Sequence, residues 1–175
     1  ICASIGSSTY IASKYLDILL QPIMKNIKSF IKNSSELVCK LESIQFSPNC
    51  YLLEADVEIL YPSIIIEDGL QSLRKALIYH QWTTTDIEFV VELAHWVLTN
   101  NYIRFGDRYY LQLIGTAMGT PFAVTFACIH LAIIENETLK LLLDGGQNGP
   151  QLYYRYIDDI IAVFEFPEEA ENFMK

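Results

Sequence analysis

The chain is poor in the residues that build metal or redox centres on sulfur and imidazole. Its four cysteines, Cys2, Cys39, Cys50 and Cys128, contain no CxxC pair and no zinc-like spacing, and they read as reduced thiols of an intracellular protein. The three histidines, His80, His95 and His130, lie far apart and read as packing or surface residues rather than ligands. Positive charge is also scarce, with 12 Lys and Arg against 21 Asp and Glu, a net of −9. Phosphate binding needs a positive footprint, so this balance by itself argues against a nucleic-acid partner. The scarcity is uneven: residues 1–50 carry five Lys against three acids, leaving seven basic and eighteen acidic residues in 51–175. No apolar run reaches the ~20 residues of a membrane span. The longest, FAVTFACIHLAIIE, is interrupted by Thr125 and His130. No basic segment with a cleavage site opens the chain, so no signal peptide is expected.

What is present points to one folded domain of 175 residues, 51% of them hydrophobic, with 11 Tyr and 9 Phe. That is enough to bury a sizeable core. From Thr9 to Ile31, the apolar positions Ile11, Tyr15, Ile18, Leu19, Ile27 and Phe30 predict a helix bent or broken near Pro22. NSSELVCKLESI predicts a second helix with Asn33 and Glu36 as a capping box. CYLLEADV reads as a strand ending at Asp56. IEDGLQSLRKALIYH predicts a helix with Leu70, Leu73 and Leu77 on one face, and TDIEFVVELAHWVLTN another, capped by Thr85 with Glu88. YIRFGDRYYLQL alternates around Gly106-Asp107 as a β-hairpin; its Tyr109 and Tyr110 suit cross-strand packing better than base stacking. A long helix from Pro121 to Leu143 follows, then a loop, DGGQNGP. A second hairpin around Ile157-Asp158-Asp159 and a helix begun by PEEAENFMK close the chain. Helices first, then strands mixed with helices, indicate an α+β fold.

Three stretches carry chemistry. In YYRYIDDIIAVFE, Asp158 and Asp159 stand between apolar runs, where two carboxylates repel unless something positive cancels them. Acids in a turn are usually just solvated, so the pair alone is weak. In LEADVEILYPSI a strand delivers Asp56 at its end, a position that a simple cap also explains. In GTAMGTPFAVTFA, Gly115 and Gly119 precede a helix opened by Pro121, allowing a ligand close to the backbone; a tight loop into a buried helix is the bland alternative. Taken together, Asp56, Asp158 and Asp159 form a ligand set for two Mg²⁺ ions about 3.5–4 Å apart, the arrangement that clamps attacking and leaving oxygens in phosphoryl transfer. Mg²⁺ prefers carboxylate, water and phosphate oxygens, so neither His nor Cys is needed.

These stretches resemble, in order and spacing, the A, B and C motifs of reverse transcriptases: ADVEILYPSI, GTAMGTPFAVTFA and YIDD. More narrowly, SIGSSTYIASKYL, LYPSI, AMGTPFA and RYIDDI look like Penelope-like retroelements, whose polymerase is related to telomerase. The resemblance implies a right-hand polymerase: partial helical fingers in 1–50 and, in 51–175, a palm of antiparallel sheet backed by helices, with the thumb absent and both ends truncated. It implies RNA-directed DNA synthesis from dNTPs on a DNA primer and RNA template, with Mg²⁺ or Mn²⁺, in the nucleus. Asp56, Asp158 and Asp159 match the metal-binding acids, and the backbone carbonyl of Val57 matches a further ligand. Tyr61 matches the sugar gate, whose ring excludes a ribose 2′-hydroxyl. Met118 and Gly119 match the segment beneath the incoming nucleotide, and Tyr156 the aromatic at the primer end. Val124 and Ile65 stand where relatives carry proline. Those departures, with the missing ends, leave a second reading open: an inactive or domesticated copy that only binds RNA or a protein. On either reading the isolated fragment is expected to be inactive.

Overall fold

The computed structural model describes residues 5–146 and 148–173. Cys2, Ser4, Gln147, Met174 and Lys175, on which parts of the sequence reading fall, lie outside them. The elements in chain order are α1 (Tyr10–Lys25), α2 (Ser34–Glu42), β1 (Tyr51–Asp56), α3 (Leu60–Ser63), α4 (Ile66–Tyr79), α5 (Thr84–Thr99), β2 (Tyr102–Phe105), β3 (Arg108–Leu111), α6 (Pro121–Asp144), β4 (Leu152–Tyr156), β5 (Asp159–Phe164) and α7 (Pro167–Phe173). The result is a mixed helical and antiparallel α+β fold. Two compact units divide it: one formed by residues 1–26 with 59–133, the other by 27–58 with 134–175.

In the first unit, α1, α4 and α5 pack with the N-terminal half of α6. Leu73 and Leu77 of α4 are fully buried, as their shared face requires. The α1 face is the reverse of the one expected. Ile11, Tyr15 and Ile18 are exposed, while Ser13, Leu16, Leu20, Ile23 and Met24 are buried. Polar groups on the inner face explain the reversal. Ser13 Oγ accepts a hydrogen bond from the Phe122 amide, 3.1 Å away, filling the role of a cap for one of the unsatisfied amides that open α6. Asp17 accepts from the Thr125 hydroxyl. Pro22 sits inside α1, which runs through it to Lys25.

Helix α5 is capped two residues earlier than expected, by Thr83, whose hydroxyl accepts from the Asp86 amide. Asn33 caps α2 as expected by accepting from the Glu36 amide, but the Glu36 carboxylate returns to the Lys32 amide instead of to Asn33. With 24 residues, α6 is long and apolar enough by length and composition to cross a bilayer. Phe122, Phe126 and Ile129 nevertheless face the core of the first unit. The β2–β3 hairpin forms around Gly106-Asp107, and every residue of both strands is exposed.

The second unit is built on a three-stranded antiparallel sheet of order β1-β5-β4. Phe173 of α7 packs edge-on and tilted against Tyr153 and Phe164. A parallel bridge between Phe30 and Arg155 joins the segment after α1 to the outer side of β4. Cys39, Cys50 and Cys128 form no disulfide.

Two predictions concern the first unit. A Cβ added at Gly69 of α4 would overlap the buried Phe126 ring, reaching 2.8 Å from Cε1. Gly69→Ala therefore lowers stability by about 1–3 kcal/mol through overpacking, although alanine favours a helix interior by about 0.5–1 kcal/mol. Urea unfolding measures the balance, and a raised midpoint would mean that the ring moves aside. The second prediction concerns His130, whose Nδ1 lies 2.9 Å from the Ser72 hydroxyl. That hydroxyl donates to the Asp68 carbonyl, so Nδ1 carries the proton. Burial holds the imidazole below its ordinary pKa, with the Asp68 carboxylate opposing in part. The unfolded chain therefore takes up this proton first. Stability contributed by neutral His130 is complete above the unfolded value of about 6.5 and is lost as pH falls towards the folded value. His130→Gln should flatten that part of the stability–pH curve measured by thermal unfolding.

Candidate functional site

Asp56 ends β1 and Asp159 begins β5, and the antiparallel register sets them directly opposite each other. The same row continues to Tyr156 of β4, paired with Asp159 across the hairpin. Asp158 belongs to the two-residue turn with Ile157, whereas Asp159 lies in the strand rather than at the tip where sequence reasoning put both acids. Carboxylate oxygens of Asp56, Asp158 and Asp159 all lie within 4.8 Å of one another. Asp56 and Asp159 are exposed and Asp158 is half-buried, as suits a site open to substrate. Like charges directly opposite in a sheet are destabilising, and hard carboxylate oxygens so close together fit Mg²⁺ or Mn²⁺. The Val57 amide donates to the Asp158 carbonyl over 3.1 Å, extending the β1–β5 ladder one step into the turn.

The turn has unusual backbone geometry. Ile157 has φ 58°, a left-handed conformation that a β-branched residue resists by about 1–3 kcal/mol. Its carbonyl accepts a 2.7 Å bond from Arg155 Nη1. Arg155, one row further into the sheet, points to the opposite face, where it is 1% exposed. There it pairs with Glu135 of α6, which also accepts from the Tyr153 hydroxyl at 2.9 Å and the Ser29 hydroxyl at 2.8 Å. Burial, with the Glu135 charge, pushes the Tyr153 phenol well above its usual pKa, so it stays a neutral donor. Sequence reasoning did not single out Arg155, Glu135 or Ser29. An arginine three residues before an acid pair was the available signal, but its partners lie far away in the chain.

Tyr61, Met118 and Gly119 belong to the first unit and line one open pocket of about 490 Å³ with Tyr10 and Val124. Gly115 explains how the loop before α6 meets α3. It has φ 78°, and a Cβ there would lie 2.6 Å from the Pro62 backbone. The next amide, Thr116, donates to the Tyr61 carbonyl at 2.7 Å. The glycine thus allows a backbone contact that holds Tyr61, and Gly119, with φ 101°, turns the chain into α6 at Pro121.

No family model matches the chain. It is 30% identical over 82 residues to the telomerase reverse transcriptase of Oryza sativa subsp. japonica, a match covering 42% of this chain and 6% of that protein. Among solved structures it is similar to apo telomerase from Candida tropicalis truncated from its C-terminal domain, with a TM-score of 0.69 and 14% identity over 90% of this chain and 35% of that one. Telomerase from Candida albicans, solved with a TWJ fragment of telomeric RNA, gives a TM-score of 0.66 at 12% identity, over 92% of this chain and 31% of that one. The chain therefore has the partial palm- and fingers-like α+β fold of these telomerase structures and spans about a third of their length, and its match to the Oryza sativa protein covers 6% of that protein. These likenesses support a relationship to reverse transcriptases.

Proposed function

We propose that this chain is the core of a reverse transcriptase of a Penelope-like retroelement, with fingers segments in 1–50 and palm in 51–175, working in the nucleus. The convergence of Asp56, Asp158 and Asp159 at one end of the β1–β5 pair carries the reading. These three acids, with the Val57 carbonyl, would hold two Mg²⁺ ions. Such ions supply activation of a primer 3′-hydroxyl and charge stabilisation on the departing phosphate oxygens. Catalysis by the chain's own residues is then mostly positioning and fixed electrostatics. Tyr61, in the wall of its pocket, excludes a 2′-hydroxyl by the volume of its ring. Met118 and Gly119 support the incoming dNTP, and Tyr156, exposed beside Asp159, packs against the primer end of a DNA strand on its RNA template. Val124 in the pocket wall, where the resemblance implies proline, favours the second reading, a copy that binds RNA or protein without catalysis.

Divalent-ion titration tests the metal site on which the first reading rests. Saturating Mn²⁺ at 100 times its Kd stabilises a folded chain by about 2.7 kcal/mol, or about 5–10 °C in thermal midpoint at this size. Asp158→Asn should lose that shift while equalling or exceeding the wild-type midpoint in EDTA, because one repelling charge is gone. An equal Mn²⁺ response in both proteins would remove the metal site. In the full-length polymerase, Tyr61→Ala should raise ribonucleotide incorporation relative to dNTP by at least about tenfold, the equivalent of about 1.4 kcal/mol, read by primer extension. Unchanged discrimination would remove Tyr61 from the gate.

A further inference from the structure

Resting on the metal-binding reading above, we infer that Arg155 is a positioning residue for the acidic turn, acting from the opposite face of the sheet through the carbonyl of Ile157. Every link lies within the second unit. The Arg155 backbone is fixed along the outer edge of β4 by the segment before α2: its amide donates to the Ser29 carbonyl at 2.7 Å, and its carbonyl accepts from the Ile31 amide at 2.9 Å. The guanidinium is fixed at Glu135, whose carboxylate is oriented by hydroxyls of Ser29 and Tyr153. From that anchored position Nη1 bonds the carbonyl of Ile157, the left-handed residue immediately before Asp158.

A planar guanidinium suits this task because one edge can pair with a carboxylate while another nitrogen points along the chain. Lysine, whose donors all sit on one nitrogen, cannot hold Glu135 and the Ile157 carbonyl in the same geometry. Without the clamp, Ile157 relaxes towards negative φ. The two-residue turn then rotates and Asp158 leaves the site shared with Asp56 and Asp159. Loss of a group that orients a metal ligand typically weakens metal affinity by about 10–100-fold, and that is the effect expected here.

The test is Mn²⁺ affinity by electron paramagnetic resonance, with folding monitored by circular dichroism and thermal midpoint in EDTA. Arg155→Lys should weaken Mn²⁺ about 10–100-fold in the folded protein. Adding Ile157→Gly should recover part of that loss, because glycine adopts the left-handed conformation unaided. A purely structural arginine would lower the midpoint and leave Mn²⁺ affinity unchanged, which overturns the inference. Where Arg155→Lys does not fold, Glu135→Gln carries the test. It keeps side-chain volume but loosens the guanidinium's anchor, and it should weaken Mn²⁺ several-fold; wild-type affinity there also overturns the inference. A wild-type chain that binds no Mn²⁺ brings down both this inference and the functional reading, whereas equal binding by wild type and variants brings down this inference alone.

Discussion

The pairing of β1 with β5 determines what the second unit can do, because side chains alternate across a strand. In the observed register Asp56 meets Asp159 on one face, while Ala55, Ile160 and Arg155 share the other. A slip of one residue would turn Asp56 towards the buried arginine and dissolve the acidic group. Nothing favourable between the two acids holds that register. It is held at the far end of the strands, where Ala162, Val163 and Phe164 are buried and α7 closes over Phe164. Hydrophobic burial at one end of the sheet therefore supports electrostatic repulsion at the other.

The same division of labour runs through the thickness of the sheet. On the acid face, charge is exposed and unfavourable until something positive arrives. On the back face, the buried Arg155 and the half-buried Glu135, Tyr153 and Ser29 form a group in which the charges are paired and the hydroxyls donate. Removing one member of such a pair leaves an uncompensated buried charge, typically worth about 3–5 kcal/mol. That rigidity lets the turn keep Ile157 in a conformation its side chain opposes.

Much of this was legible in the sequence, and the failures have physical causes. Both hairpins, the strand ending at Asp56 and the helix opened by Pro121 follow from short-range rules, since turn residues and alternation act over a few positions. The clustering of Asp56 with Asp158 and Asp159 was also legible, because the stretches that carry them resemble, in order and spacing, motifs of reverse transcriptases in which such acids meet. The inner face of α1 was misread for the opposite reason. Apolar Ile11, Tyr15 and Ile18 outweighed Ser13 and Asp17 in any periodicity argument, yet the polar pair faces inward because α6 has an amide and a hydroxyl there to satisfy. Thr83 displaced Thr85 as the α5 cap because three consecutive threonines offer three equivalent starts, and tertiary context chose one. Gly115 was visible as a glycine, but its reason, the Pro62 backbone pressed against it, is a contact between distant segments that no local rule contains.

The acidity of the chain can now be weighed against its proposed work on nucleic acid. Its scarce cations are partly committed internally: Arg155 to Glu135, Arg74 to Glu88, and Lys40 to Glu36 and the Tyr154 ring. The basic footprint left for phosphate is thus smaller than the composition suggests, and the row of Asp56 and Asp159 with Glu54 two positions along β1 would repel a polyanion. Long-range steering by protein charge is therefore a poor account of how substrate would reach this face. A divalent cation reverses the sign locally, since the charges closest to the substrate dominate when carboxylate, ion and phosphate oxygen are in direct contact. On the proposed function, affinity for phosphate at this site is a property of the loaded metal centre, to which three of the chain's 21 acidic residues contribute directly.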